Sequence, residues 1–262
     1  MEELLTEKFL KEIKDRVGDI MGAMEVLAPL VAAKGREKDQ EYLAMVNKSF
    51  FRLLRMVRHA ETCGLESISE EKTLDLAGLC RKLVKDGEDM ARLLGTDFAV
   101  LVPKKGTKKS PPLEGSVLSH GDAYLLEMAI LNLMTNAFEA AGPAGKVSFG
   151  VNLESERWMV TVEDNGPGLR DAEVGEDPYL KTPGGVGLGL ETARKIAKLH
   201  GGALMQETAA EGGVRAVLSI PVRKPAKPLV KTAMVEAESF STVLVEFSPL
   251  LPLEVFLEDN IR

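Results

Sequence analysis

The sequence is short of the residues that mark several protein classes. Two cysteines, Cys63 and Cys80, are too few for a disulfide framework; they suit a reducing cytosol, each as a small core or surface residue. Histidine occurs only three times. No apolar run approaches the roughly 20 residues needed to span a bilayer, and Met1-Glu2-Glu3 lacks the basic start of a secretory leader. A cytoplasmic chain without a membrane segment is expected, either whole or as the soluble portion of a longer receptor. Basic charge is not in excess: 33 Lys and Arg against 40 Asp and Glu leave a net charge of −7, which argues against nucleic acid as a partner. The basic loop of Lys104, Lys105, Lys108 and Lys109 has no interleaved aromatics and reads as a solvated turn. With 262 residues, the chain can bury one good core plus a smaller module.

Three stretches carry the functional signal. Trp158-Met159-Val160-Thr161-Val162-Glu163 alternates and is β-branched, so it reads as a strand delivering Asp164 to the turn Asn165-Gly166-Pro167-Gly168-Leu169. Gly166 and Gly168 let the backbone turn sharply and approach a flat ligand, and a carboxylate there can accept from an exocyclic amine such as that of adenine. Taken alone, the stretch is equally an ordinary Asp-Asn-Gly turn. Gly184-Gly185-Val186-Gly187-Leu188-Gly189-Leu190 runs into an amphipathic helix that ends at His200-Gly201-Gly202. Glycines at a helix entrance leave N–H groups free to face phosphate. No strand runs straight into this string, so it is not the dinucleotide-binding fingerprint. A third helix, capped by Asp122, extends to about Ala141 and carries Asn132 and Asn136 on one face, four residues apart. An amide oxygen is a hard ligand suited to magnesium; the alternative is a pair of buried amides bonded to neighbouring backbone.

In order and spacing, Asn132 to Asn136, Asp164 to Gly168 and Gly185 to Leu190 resemble the N, G1 and G2 boxes of the GHKL ATPases, in the versions found in sensor histidine kinases. Tyr179, in Asp177-Pro178-Tyr179-Leu180, stands where those kinases have a phenylalanine-centred F box. The resemblance implies that ATP and Mg2+ bind here. Asn136 would hold the metal, Asp164 would read adenine, and residues 170 to 186 would form a short lid. The remaining nucleotide contacts would come from Asn132, Gly166, Gly168, Tyr179, Gly185, Gly187, Leu188 and Gly189. Family members that hydrolyse ATP keep a glutamate where this chain has Asn132. An amide cannot act as a general base, so fast hydrolysis is not expected.

Residues 1 to about 33 place Leu5, Phe9, Ile13, Val17, Ile20, Met21, Met24 and Leu27 at three- and four-residue steps. A second helix, with Tyr42, Met45, Val46, Phe50, Leu53, Leu54 and Val57 on one side, stops near Cys63-Gly64. Two such seams cannot cover each other alone, so a homodimeric four-helix bundle through residues 1 to 66 is expected. This hairpin resembles the dimerisation and phosphoacceptor domain of the histidine kinases. There it departs from the family, because Asp15 occupies the acceptor histidine position, Arg16 follows in place of an acidic residue, and Asp19-Ile20 replace Thr-Pro. A carboxylate repels an incoming phosphate unless a metal screens it. His59, beside Arg55 and Arg58 on the second helix, is the substitute acceptor to consider; the simpler reading makes it a surface residue.

The chain therefore reads as α+β, a helical hairpin followed by a two-layer α/β sandwich. Its divisions are a hairpin (1 to 66), an ATP-binding domain (67 to 222), and a linker with an extension of unassigned role (223 to 262). Within the sandwich, Phe98 to Val102 is expected as a buried strand. In the extension, Ser241 to Phe247 reads as strand-like and Leu250 to Leu257 as apolar enough to need cover, from the sheet or from another protein. Two functions follow. One is a kinase core that passes the γ-phosphoryl group to a protein side chain in two-component signalling. The other is an inactive pseudokinase dimer that responds to nucleotide and regulates a partner kinase or response regulator.

Overall fold

The structure, a computed structural model, describes residues 2–34, 37–68, 71–101, 113, 115–168, 188–210, 212–223 and 241–257. Two long helices come first, α1 (Glu2–Lys34) and α2 (Glu37–Gly64), and α1 runs on through Pro29. They pack through small and apolar residues, Val17 and Ala28 on α1 with Ala44, Phe50 and Leu54 on α2, all buried. Much of the expected seam stays open: Ile20, Leu27, Tyr42, Met45, Val46 and Leu53 are exposed. The periodicity reads correctly as two amphipathic helices, and among the described residues one face of the pair has no cover.

Strand β1 (Lys72–Asp75) leads into α3 (Leu76–Leu94). Asp75 ends the strand and starts the helix, its carboxylate accepting from the Ala77 N–H at 3.1 Å. Gly95 closes α3 in the left-handed conformation, at φ 67°. Next come β2 (Asp97–Leu101), β3 (Leu118–Gly121), α4 (Ala123–Ala141), β4 (Lys146–Glu154) and β5 (Arg157–Asp164), followed by α5 (Leu188–Leu199), β6 (Ala203–Thr208) and β7 (Val214–Pro221). β1 pairs antiparallel with β3 in a small ribbon. The main sheet has the order β2-β4-β5-β7-β6, with β2 parallel to β4 and every other pair antiparallel.

One face of that sheet is packed by α4, whose Leu126, Ile130, Leu133 and Phe138 meet Phe149, Trp158, Val160 and Leu218 in a single core. This confirms the two-layer sandwich. β2 differs from expectation: it is a half-exposed edge strand rather than a buried one. Among the described residues only one flank has a partner, and Phe98 is the residue that turns inward, stacking on Phe138 at 5.9 Å.

The extension also differs. Residues 242–247 form a short helix, α6 (Thr242–Phe247), followed by a 3-10 turn, Leu253–Phe256. Neither adds a strand, and both dock on helices rather than on the open face of the sheet. Phe247 meets Phe138 of α4 edge-on, and Phe256 meets Phe51 of α2. Asn47 donates to the Phe256 carbonyl at 2.9 Å, and Lys48 donates to the Leu251 carbonyl. Val245, Phe247 and Phe256 are completely buried. Among the described residues no helix is long and apolar enough to cross a membrane, and both cysteines are free thiols.

Candidate nucleotide site

The site is built along one face of α4. The Asp122 carboxylate accepts from the Leu125 N–H at 3.0 Å and fixes where the helix starts. A further constraint comes from His200 at the end of α5. Its Nε2 accepts from the Asp122 N–H at 3.1 Å, while Nδ1–H donates to the Ile196 carbonyl at 2.9 Å. Burial holds the His200 pKa below the usual imidazole range, which keeps Nε2 an acceptor. The His-Gly-Gly run is therefore structural: a side chain on Gly202 would meet the Ser219 carbonyl oxygen at 2.2 Å.

Along α4, Asn132, Asn136 and Ala140 follow at four-residue steps and so share a face. Glycines bound it at both ends. A Cβ on Gly166 would lie 2.5 Å from the Ala140 carbonyl oxygen, and a Cβ on Gly189 would lie 2.6 Å from Asn132 Oδ1. The turn after β5 and the first turn of α5 thus both approach α4 as closely as bare backbone permits. Asn136 stands exposed between them.

Asp164, at the end of β5, is 6% exposed. Its Oδ1 accepts from the Gly166 N–H at 2.9 Å and the Val214 N–H at 3.3 Å. Among the described residues its second oxygen accepts no hydrogen bond. Burial raises the Asp164 pKa, and the two backbone donors oppose that shift. A Cβ on Gly213 would lie 2.0 Å from the Asp164 carbonyl oxygen, so the β6–β7 turn also requires glycine here. Asn165 ties the same turn to the sheet through Lys146: its Oδ1 accepts from the Lys146 N–H at 2.8 Å.

The two asparagines have different surroundings. Asn132 is fully buried: its amide donates to the Met128 carbonyl at 2.9 Å, and its Oδ1 accepts from Arg55 Nη2 at 3.1 Å. It faces α2, so the reading as a buried amide fits Asn132, while Asn136 is the amide open to solvent.

His59 is not a surface residue; it is 3% exposed. Its Nε2 lies 2.9 Å from Glu246 Oε2 and 3.2 Å from Asn132 Nδ2. A single ring nitrogen cannot serve both, and the buried carboxylate has the stronger claim because an unpaired charge costs far more than a lost amide contact. Nε2–H therefore donates to Glu246. Arg55 Nε donates to the same oxygen at 3.1 Å. Burial alone would raise the Glu246 pKa, and the two bases overcome this to hold it below the usual carboxylate range. The helix α2 pattern carried a trace of this: Arg55, Arg58, His59 and Thr62 are polar at helical spacing on a buried face.

Asp15 is exposed on α1, one residue before Arg16, which makes a surface ion pair with Asp19 at 3.3 Å. Tyr179, Gly185, Gly187 and the expected lid lie outside the described residues. Leu188 and Gly189, which open α5, are within them.

Residues 121–224 match the family described as histidine kinase-, DNA gyrase B-, and HSP90-like ATPase. The match covers less than half of the chain, and this stretch is similar to that ATPase family. Sensor protein TorS of Escherichia coli (strain K12) is 31% identical over 137 residues, covering 50% of this chain and 15% of TorS. C4-dicarboxylate transport sensor protein DctS of Rhodobacter capsulatus is 26% identical over 205 residues, covering 73% of this chain and 30% of DctS. The chain thus spans less than a third of either relative. Full-length ShkA, solved in complex with AMPPNP, superposes with a TM-score of 0.64 at 21% identity, over 86% of this chain and 47% of ShkA. At that identity the likeness shows the fold. The matched stretch is thus similar to a histidine kinase-like ATPase domain, and the relatives that share it are sensor proteins.

Proposed function

We propose that the chain is an ATP-binding, histidine-kinase-like protein of two-component signalling, organised as hairpin 1 to 66, ATP-binding domain 67 to 222 and extension 223 to 262. The supporting observation is the open face of α4, with Asn136 exposed between the close approaches of Gly166 and Gly189 and the buried Asp164 beside one end.

These residues fit Mg-ATP. The Asp164 carboxylate has an oxygen to accept from the adenine amine, and Asn136 offers an amide oxygen to magnesium. Bare backbone at Gly189, on the first turn of α5, leaves room for phosphate. Gly168, Gly185, Gly187 and Tyr179 would complete the pocket and its lid. Bound magnesium would neutralise phosphate charge, and the protein's part would be positioning. The exposed apolar residues of α1 and α2 suit a second copy of the hairpin, giving a homodimeric bundle. A response regulator or a partner kinase is the expected protein partner.

A second reading, the inactive pseudokinase, is favoured by the acceptor position. Asp15 is a carboxylate in open solvent with no metal-binding group of three or more acidic or soft ligands among the described residues. His59, the substitute, is buried with its Nε2 bonded to Glu246. Incubation with Mg-ATP followed by intact-mass measurement separates the two readings. An acid-labile phosphate that disappears in Asn136→Ala identifies the kinase. A nucleotide-induced thermal shift without any adduct identifies the regulator.

A further inference from the structure

Arg55 belongs to the hairpin, yet its guanidinium lies at the nucleotide site. Nη2 is 3.1 Å from Asn132 Oδ1 and 3.4 Å from the position a Cβ on Gly189 would take. It therefore borders the first turn of α5, where the helix dipole and free N–H groups already favour an anion. It also stands at a particular end of the site. Gly166 and Asp164 mark the adenine end at Ala140, and Asn132 lies eight residues away, about 12 Å along the helix at the α-helical rise. Asn136, the metal amide, is midway. A nucleotide laid along this face presents its terminal phosphate to Arg55.

The guanidinium is held in reserve there by the C-terminal extension. Its Nε donates to Glu246 Oε2 at 3.1 Å, and Glu246 is wholly buried. Glu246 Oε1 is buried and makes no hydrogen bond among the described residues, so Arg55 meets the carboxylate through one oxygen. Glu246 takes Arg55 through Nε, whereas a phosphate can accept a bidentate pair from a guanidinium.

Resting on the nucleotide-site reading above, we infer that Arg55 reads the terminal phosphate and that Glu246 competes with that phosphate for the guanidinium. ATP binding draws Arg55 away from α6, whereas ADP, which ends one phosphate short, leaves the Arg55–Glu246 pair intact. Arg55 is thus the residue that sets preference for triphosphate over diphosphate, and the extension tunes it.

The test is titration of the full chain, with magnesium, by ATP and by ADP, for wild type, Arg55→Gln and Glu246→Gln. Wild type is expected to favour ATP by about tenfold or more, the effect of one charge-assisted contact. Arg55→Gln should bring the ratio to near one by weakening ATP alone, with unchanged ADP binding reporting an intact fold. Glu246→Gln replaces a charged acceptor with a weaker neutral one, loosens the hold on the guanidinium and should raise the ratio above wild type, and this arm decides if Arg55→Gln binds neither nucleotide. A ratio unmoved in Arg55→Gln that still binds ADP, or unmoved in Glu246→Gln, overturns the role of Arg55 and leaves the pocket standing. Wild type that binds neither nucleotide overturns the pocket itself, and this inference with it.

Discussion

His59 Nε2 donates to Glu246 Oε2 across 2.9 Å, joining residues 187 positions apart in the chain. With Arg55 on the same oxygen, one carboxylate from the extension fastens α2 to the side of α4. Replacing Glu246 with Ala leaves two bases and Asn132 in a dry interface. Breaking a buried ion pair from one side costs about 3–5 kcal/mol. Glu246→Ala should therefore lower the urea midpoint sharply, and Glu246→Gln by less, since the amide oxygen still accepts. Because the pair holds the Glu246 pKa down, its contribution is present above the ordinary carboxylate range and is lost as pH falls below it.

Deleting residues 241–257 removes Val245, Phe247, Leu251 and Phe256, all buried, and bares Phe51 and Phe138. A fully buried Phe is worth about 1.5–3 kcal/mol. The truncated chain should melt well below the full chain and bind a dye that reports apolar surface. Equal melting temperatures would show that the extension is not part of the core.

The extension is where the sequence was least legible. Ser241 to Phe247 is rich in β-branched residues, which reads as strand-like, but α6 is buried nearly all round by α2 and α4. Burial on every side erases the periodicity that separates helix from strand in a short segment. A lone Glu246 within Val243-Leu244-Val245-Glu246-Phe247 was the available clue, since a charge in so apolar a run needs a buried partner. The close approaches to α4 were legible for the opposite reason: they need glycine at fixed positions, and Gly166 and Gly189 meet backbone or a fixed amide there. His59 was misread because an exposed and a buried histidine look alike near a helix end.

Gly189→Ala should be damaging in proportion to that approach. The added methyl would lie 2.6 Å from Asn132 Oδ1 and 3.4 Å from Arg55 Nη2. Overpacking of this kind costs about 1–3 kcal/mol. A loss of nucleotide affinity together with a lower melting temperature is expected. Asn136→Ala, by contrast, alters an exposed side chain; it should leave the melting temperature within about 1 °C, a surface-sized effect, while weakening magnesium-dependent binding.

Asp86 on α3 offers a pH test away from the site. Burial, with smaller contributions from neighbouring charges including Glu127, raises its pKa to about 6. Native Asp86 then binds a proton more tightly than the unfolded chain does, so its penalty grows as pH rises from the ordinary value of 3.8 and is complete above about 6. Asp86→Asn should raise the melting temperature at pH 7.5, and the gain should shrink towards zero by pH 4. A gain independent of pH would contradict the assignment.

The central claim, that Asp164 and the open face of α4 hold adenine nucleotide, is tested most directly by calorimetric titration of Mg-ATP into wild type and Asp164→Asn. The asparagine can still accept from Gly166 and Val214 through Oδ1, but it turns an N–H towards the adenine amine where a carboxylate oxygen stood. The account predicts one site per chain in wild type and at least about a tenfold loss in the variant, the scale of a charged hydrogen bond, with an unchanged melting temperature. Wild type that takes up no ATP, or a variant that binds it equally well, would contradict the account.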